Sequence, residues 1–492
     1  MRCESAGEKA NHYPGCAFGI ATREGLISSN SGGHGNIESE LKATTQSLFR
    51  IASMTKSFVS MAILQLRDQG LLRLDEAAET IIPELCDLAY PGADCPHISI
   101  ENLLTMTAGF PEDNRWADRK LDETEEQLLA LINEGLSFSG PPNQAMEYSN
   151  LSYALLGLVI TRVSGQSCQS YITDNIFKPL GMHNTVWDYR AVPSSQLVQG
   201  YRLLDAEAEL DNRWQAEPLL GDGAWAPIGG IITSVEDFSL YMQFLLSALN
   251  IETSDNALEA EQSYPLKPSS VREMAQPRNP WAMVPGQPRD AELVSRHYGY
   301  GLEIRQDKRG LVSVGHAGAL PGFGSYFHCY PELGFGVMLF TNLSYGPGMM
   351  EACDEVSEAL IQKSGYQEKL AQKYLLLNQR RAELLGLLKG WDSRLDQAEV
   401  QEIAESQPAA EPSTFLADNF YQDQSGEQRI KQLGNSLDGI GKVKTIEPLI
   451  PINPLRGTFV IQGEQASLKV FFSLTPEALP RVQMLTIEKV PQ

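Results

Sequence analysis

Leu48-Phe49-Arg50-Ile51-Ala52-Ser53-Met54-Thr55-Lys56-Ser57-Phe58 decides how this chain reads. It opens a run in which Phe58, Val59, Met61, Ala62, Ile63, Leu64 and Leu66 leave almost no polar face before Gly70. That pattern predicts a central helix buried on all sides. Ser53 and Lys56 are three residues apart and share a helical face. A serine hydroxyl is a poor nucleophile until a base takes its proton. An amine beside it can be that base once burial and cationic neighbours lower its pKa. The helix N-terminus also offers unpaired N–H groups and a positive dipole end to a developing oxyanion. Ser-x-x-Lys is a short pattern, and about one or two matches arise by chance in a chain of this length. A second match, Ser39-Glu40-Leu41-Lys42, lies in a polar stretch without helical periodicity, and Ser39→Ala is expected to change nothing.

Two further motifs follow in order. Tyr148-Ser149-Asn150 ends the loop from Gly140 and opens an apolar helix through Val163. A tyrosine at such a junction can point its oxygen into a cleft, and Asn150 can donate an amide hydrogen bond there. His316-Ala317-Gly318 follows the strand-like run from Leu311. Gly318 would let a backbone edge approach a ligand, and the Ala319 N–H could serve as an oxyanion donor. A lone tyrosine at a helix start is ordinarily packing, and a lone histidine at a strand end is ordinarily structural. The three motifs in this order and context point to catalysis.

At these residues the chain resembles the serine β-lactamase-related hydrolases of the class C type. These include class C β-lactamases, DD-peptidases, D-amino-acid peptidases and family VIII esterases. The resemblance spans about residues 12–365. It extends to Tyr13-Pro14-Gly15-Cys16-Ala17, to Leu103–Phe110 with Met106 at the family's usual histidine, to Phe177–Met182 and to Gly229–Phe238. It implies an α+β fold of the β-lactamase/DD-peptidase type, an antiparallel sheet flanked by helices with a helical lobe. It also implies an acyl-enzyme on Ser53, with Lys56 and Tyr148 sharing proton traffic. Asn150 would orient Lys56 and the substrate amide. Ser53 and Ala319 N–H groups would form the oxyanion hole, and His316 would supply positive character or a hydrogen bond near the substrate. Which of Lys56 and Tyr148 is the base stays open, because their titrations are coupled. Class C β-lactamases usually carry Lys-Thr-Gly where His316-Ala317-Gly318 stands. That departure favours a peptidase or amidase, possibly on D-residue substrates. The alternatives are an esterase or acyltransferase, or a non-catalytic penicillin-binding sensor, which loss of a motif residue would have favoured.

With 492 residues the chain has room for two or three domains. Its 42% hydrophobic and 21% charged residues fit a globular enzyme. A formal net charge of −23 argues against nucleic acid and anionic membrane as partners. The expected partner is a small-molecule or peptide substrate, with a homodimer left open. No stretch reads as a membrane span, and residues 1–11 lack the apolar core of a signal peptide. The chain as it stands therefore reads as cytoplasmic, or as periplasmic or secreted if its start is truncated. Seven scattered cysteines are no disulfide framework, although Cys86 and Cys95 could bridge in an exported protein. No metal-ligand spacing or nucleotide loop is present, so no cofactor is expected.

Residues 14–28 predict two strands, and Phe323–Tyr330 with Gly334–Thr341 a hairpin that would complete the same sheet. Ser99 opens a helix expected to close at Gly109, and Ser234 opens another. The Pro-rich stretch 250–295 reads as a long surface excursion, functionally a lid or substrate wall and otherwise a variable loop. Three domains are expected: a hydrolase domain over 12–365, a helical connector over 366–405 and a small α+β module over 406–492. Trp225, Pro227 and Ile228 are read as core, with an acyl pocket as the functional alternative.

Overall fold

The computed structural model describes residues 13–204, 213–250, 264–281, 293–363, 374–400 and 411–490. Two compact units divide the chain, Met1–Ala359 and Leu360–Gln492.

The first unit is built on a nine-stranded sheet. Its strands are β1 (Gly15–Thr22), β2 (Gly25–Asn36), β3 (Leu41–Lys42), β4 (Asn279–Pro280), β5 (Leu293–Tyr298), β6 (Glu303–Asp307), β7 (Val312–Leu320), β8 (Phe323–Tyr330) and β9 (Phe335–Thr341). Their order is β3-β2-β1-β9-β8-β7-β6-β5-β4. The N-terminal hairpin docks antiparallel on the last strand, with Cys16 opposite Thr341 and Thr22 opposite Phe335. This is the sheet completion read from the two ends of the sequence. Both β8 and β9 are buried on both faces; β9 is a nearly continuous apolar run, whereas β8 buries Ser325 and His328 among its aromatic residues.

The central helix α1 (Thr55–Asp68) buries every residue from Thr55 to Leu66, and Gly70 ends it at φ +75°. Phe58 of α1 packs 4.2 Å from the Tyr241 ring and 5.6 Å from Phe177. Tyr241 belongs to a long helix (Val235–Leu249) whose first turn is capped by Ser234 Oγ, accepting from the Asp237 N–H at 3.1 Å. On its other flank α1 packs against α3 (Asn150–Ser164), while α2 (Asn114–Ala117) is a single turn beside the start of α3.

One helix is shorter than the sequence suggests. The element expected to run to Gly109 ends at Leu104, and the backbone turns left-handed at Met106, φ +60°. Threonine hydroxyls compete with the helix here. Thr105 Oγ1 donates to Glu101 O at 2.7 Å, and Thr107 Oγ1 accepts from Asn102 Nδ2 at 3.0 Å. The turn has a use: Met106 O accepts the Glu147 N–H at 2.9 Å, and Met106 Sδ faces the Ser149 N–H at 3.4 Å. The loop on both sides of Tyr148 is thereby anchored to it.

Much of the expected lid over 250–295 falls on 251–263 and 282–292, outside the described residues. Between these lie a short helix (Pro268–Met274), β4 and Trp281. Cys86 and Cys95 are both free.

The second unit contains α4 (Leu375–Trp391), β10 (Glu399–Val400), α5 (Gly426–Asp438), β11 (Val443–Ile446), β12 (Ile450–Asn453), β13 (Arg456–Gly463), β14 (Ser467–Leu474) and β15 (Val482–Val490). The sheet order is β10-β11-β13-β14-β15, with β12 also pairing β13. Helix α4 lies within the stretch expected to be a connector, yet it is part of this unit's core. Leu377, Leu384 and Leu388 are buried with Leu433, Phe459 and Phe472. An apolar stripe of this size has to cover a sheet face rather than face solvent. Among the described residues, no helix is long and apolar enough to cross a membrane.

Candidate active site

Ser53 sits in a 3-10 turn, Ala52–Met54, that feeds directly into α1. Ala52 holds φ +48°, a left-handed conformation uncommon outside glycine. The turn is held from two sides. Ile51 N–H donates to Ile231 O at 2.9 Å, and Ile51 O accepts from Ser325 Oγ at 2.7 Å. Arg50, buried just upstream, donates to Gly230 O at 3.0 Å and to Leu220 O at 2.6 Å. The strained turn is therefore fixed against both the sheet and the Ile228–Ile231 segment.

Lys56 is wholly buried, 0% exposed. Its Nζ lies 3.0 Å from Ser53 Oγ, 2.7 Å from Asn150 Oδ1 and 2.7 Å from Ile228 O. Burial pulls its pKa down to about 7, with Asp118 and Asp113 pulling the other way. The contacts define what the neutral amine would do. Asn150 Oδ1 and Ile228 O can only accept, so they take both N–H groups, and the lone pair is left facing the Ser53 hydroxyl.

The orientation of Asn150 is fixed by a residue that the sequence did not single out. Asp113 Oδ1 accepts from Asn150 N at 2.7 Å and Nδ2 at 3.1 Å. Asp113 Oδ2 accepts from Leu151 N at 2.9 Å and Ser149 Oγ at 3.3 Å. Asn114 Oδ1 takes the other Asn150 amide hydrogen at 2.9 Å. Both Asn150 donors are thus occupied, and its oxygen faces Lys56. The expected amide bond from Asn150 to substrate has no free donor, because the carboxylate below it has claimed both hydrogens. Asp113 caps α3, but it comes from a distant loop and leaves no local cap signal.

Tyr148 is half-buried with its hydroxyl within hydrogen-bonding reach of Ser53, and desolvation drives its pKa well above 10. Lys56 Nζ lies 5.1 Å over its ring. Trp281 stacks on Tyr148 with centroids 5.5 Å apart and planes 23° apart. The Arg296 guanidinium backs Trp281 at 4.2 Å and is paired with buried Glu303, which also accepts from Arg305 Nε at 2.6 Å. Of this clamp only Trp281 lies in the Pro-rich stretch 250–295; Arg296, Glu303 and Arg305 follow it on β5 and β6.

His316 is brought near but not into the hydroxyl cluster. Its ring lies 6.2 Å from the Tyr148 ring. Nδ1–H donates to Ala317 O at 2.6 Å, because a carbonyl can only accept, so Nε2 accepts from the Tyr298 hydroxyl at 3.2 Å. Burial and the Lys56 charge lower its pKa to about 4. The expected positive character is absent: His316 is neutral at physiological pH and supports the aromatic wall.

Gly318 lies against the nucleophile turn. A Cβ there would sit 2.3 Å from Ile51 O and 2.2 Å from Ser325 Oγ. Absence of a side chain lets β7 reach Ile51 and Ala52, and Ala319 follows on the same strand. Trp225, Pro227 and Ile228 are buried core, and only the Ile228 carbonyl reaches the site. Ser39 and Lys42 are exposed and separate: Ser39 N–H bonds Asn36 Oδ1, and Lys42 Nζ meets His34.

A second constellation imitates a hydrolase site. His328 Nε2 lies 2.5 Å from Ser357 Oγ, and its Nδ1 lies 3.4 Å from Asp354 Oδ1. Ser357 is 0% exposed, so no carbonyl can reach it, and burial holds His328 neutral by lowering its pKa to about 3. Among the described residues no group of three or more His, Cys, Asp or Glu side chains could hold a metal.

Comparison with known proteins bears on the family and the fold. Residues 2–359 match the family model described as Beta-lactamase. Protein flp of Staphylococcus aureus strain MW2 is 28% identical over 350 residues, covering 69% of this chain; the chain spans 62% of that relative's length. The octameric penicillin-binding protein homologue from Pyrococcus abyssi shares the fold at TM-score 0.57 and 19% identity, covering 98% of this chain and 92% of its own. The D-amino acid amidase from Ochrobactrum anthropi SV3, complexed with D-phenylalanine, does so at TM-score 0.57 and 23% identity, over 71% of this chain and 95% of its own. The antiparallel sheet, the Ser-x-x-Lys turn on its central helix and the long sequence match converge: the chain belongs to the beta-lactamase family of serine hydrolases.

Proposed function

We propose that this chain hydrolyses amide or peptide bonds through an acyl-enzyme on Ser53, with substrates carrying D-residues among those it accepts. The observation that carries this reading is the Lys56 amine. It is buried, lowered to about 7, and committed through two acceptors so that its lone pair meets Ser53 Oγ. Lys56 is therefore the base. Tyr148, whose pKa is raised by burial, stays protonated and serves as proton donor.

Ser53 Oγ attacks the carbonyl carbon while its proton passes to Lys56 Nζ. The N–H groups of Ser53 and Ala319 hold the oxyanion. The C–N bond breaks as Tyr148 O–H protonates the leaving nitrogen, and Lys56 returns its proton to Tyr148. Water then enters by the reverse route and frees the acid. His316, neutral and turned to Tyr298, cannot supply the charge that a Lys-Thr-Gly lysine would. That supports an amidase or peptidase over a β-lactamase. The fold shared with D-amino acid amidase supports the choice of substrate.

The test is intact-protein mass after exposure to a fluorophosphonate and, separately, a penicillin, on wild type and Ser53→Ala. An adduct on wild type alone supports the acyl-enzyme, and penicillin labelling supports a D-peptide substrate. No adduct with either reagent overturns the reading.

A further inference from the structure

The single turn α2 carries a carboxylate that the mechanism above does not use. Asp118 follows α2 directly, with its N–H bonded to Asn114 O at 2.9 Å. Residues four apart on a helical turn share a face. Asn114 turns its side chain onto Asn150, so Asp118 lies on the face directed at Asn150 and Lys56.

Asp118 is 4% exposed, yet its side chain makes no hydrogen bond or ion pair with any described residue. Its electrostatic surroundings are the site's. Burial raises its pKa to about 7, and the largest charge acting on it is that of Lys56. Tyr148 and Tyr345 in turn feel its charge. Its oxygens are not among the wholly enclosed atoms that lack a partner, so the carboxylate is nearly buried but still open to a small polar group. No neighbouring group completes it. Asp113 already accepts four bonds, Lys56 is fully committed, and Arg119 pairs with Glu217 at 3.6 Å. Trp116, two residues before Asp118 and so on another face of the turn, is occupied elsewhere: it packs edge-on against Trp225 and carries the Lys120 ammonium 4.6 Å over its ring.

We propose that Asp118 binds the protonated amine of the substrate, so that the enzyme acts on amides and peptides with a free α-amino group and disfavours N-acylated ones. An ammonium brings three donors and the missing charge, and in such a substrate it is one carbon from the carbonyl that Ser53 attacks. This assignment rests on the acyl-enzyme reading.

The experiment compares D-alanine and D-phenylalanine p-nitroanilides with their N-acetyl counterparts, on wild type, Asp118→Asn and Asp118→Glu. Fluorophosphonate labelling of Ser53 is measured in parallel on each. Wild type should favour the free amine by about 10- to 100-fold in kcat/KM, mostly through KM. In Asp118→Asn that ratio should fall to about one, with partial return in Asp118→Glu. The ratio between paired substrates cancels any general loss of activity in a variant. Wild type without preference, preference for the capped substrates, or a preference that survives in Asp118→Asn overturns the proposal. Labelling of Ser53 with no turnover of the free-amine anilides overturns it alone, whereas no labelling overturns the acyl-enzyme reading as well.

Discussion

The rate at which Ser53 is acylated should follow the titration of Lys56. In water a lysine amine titrates near 10.4, and at neutral pH fewer than about one in a thousand is free base. Here burial lowers the pKa to about 7, because the ammonium has no direct carboxylate partner, only the more distant Asp113 and Asp118. The neutral fraction then rises from about a tenth at pH 6 to about nine-tenths at pH 8. Acylation of wild type by a fluorophosphonate, followed by intact mass, should accelerate about tenfold across that interval and level off above it. Lys56→Arg keeps the cation but cannot lose its proton, so the pH rise should vanish and the rate fall by about two to four orders of magnitude. The same shift has a stability counterpart. Between the folded and unfolded pKa values the unfolded chain binds the extra proton, so Lys56 makes the protein more stable as pH rises from about 7 to about 10. A flat acylation profile, a midpoint above pH 9, or a pH rise that persists in Lys56→Arg would refute the assignment of Lys56 as base.

Three further outcomes follow from the same geometry. Asp118→Asn should stabilise the protein at pH 8 and lose that advantage near pH 4, because the raised carboxyl holds a proton in the folded state that the unfolded chain gives up, so stability falls as pH climbs to about 7; thermal denaturation at both pH values reads this, and an unchanged difference would contradict it. Gly318→Ala should lower acylation at least about tenfold, since its methyl would meet Ile51 O at 2.3 Å and push β7 off the nucleophile turn; a labelling rate equal to wild type would show that the close approach does not matter. Ser357→Ala should leave acylation unchanged despite the triad-like contact with His328, whereas a variant as dead as Ser53→Ala would place the chemistry at the wrong serine.

The fold was legible where pattern and burial coincide. An all-round apolar helix after Ser53 could only be central, and α1 is buried from Thr55 to Leu66. Strand runs at the two ends had to share a sheet, and β1 pairs with β9. The helix expected to reach Gly109 ends at Leu104, where side-chain bonds of Thr105 and Thr107 accompany a left-handed turn at Met106 that apolar periodicity does not register. Helix α4 was read as a connector because its stripe of leucines says that a face is covered, not by what.

At the candidate site the sequence by itself singles out the groups on which the proposal rests: a serine and a lysine one turn apart, a tyrosine at a helix start and a glycine at a strand edge. These follow from local spacing, which the chain fixes by itself. Only the tertiary structure decided their states. Asp113 lies far from Asn150 in sequence, yet its carboxylate turns that amide so that its oxygen meets Lys56. Ile228 supplies the second acceptor from another distant segment. Of the two roles expected of His316, positive character or a hydrogen bond, burial and the nearby lysine disfavour the first by lowering its pKa to about 4. Asp118 carries no motif at all and becomes visible only as a buried carboxylate without a partner. Protonation and hydrogen-bond direction depend on what folding packs around a group, and distant segments of the chain supply that.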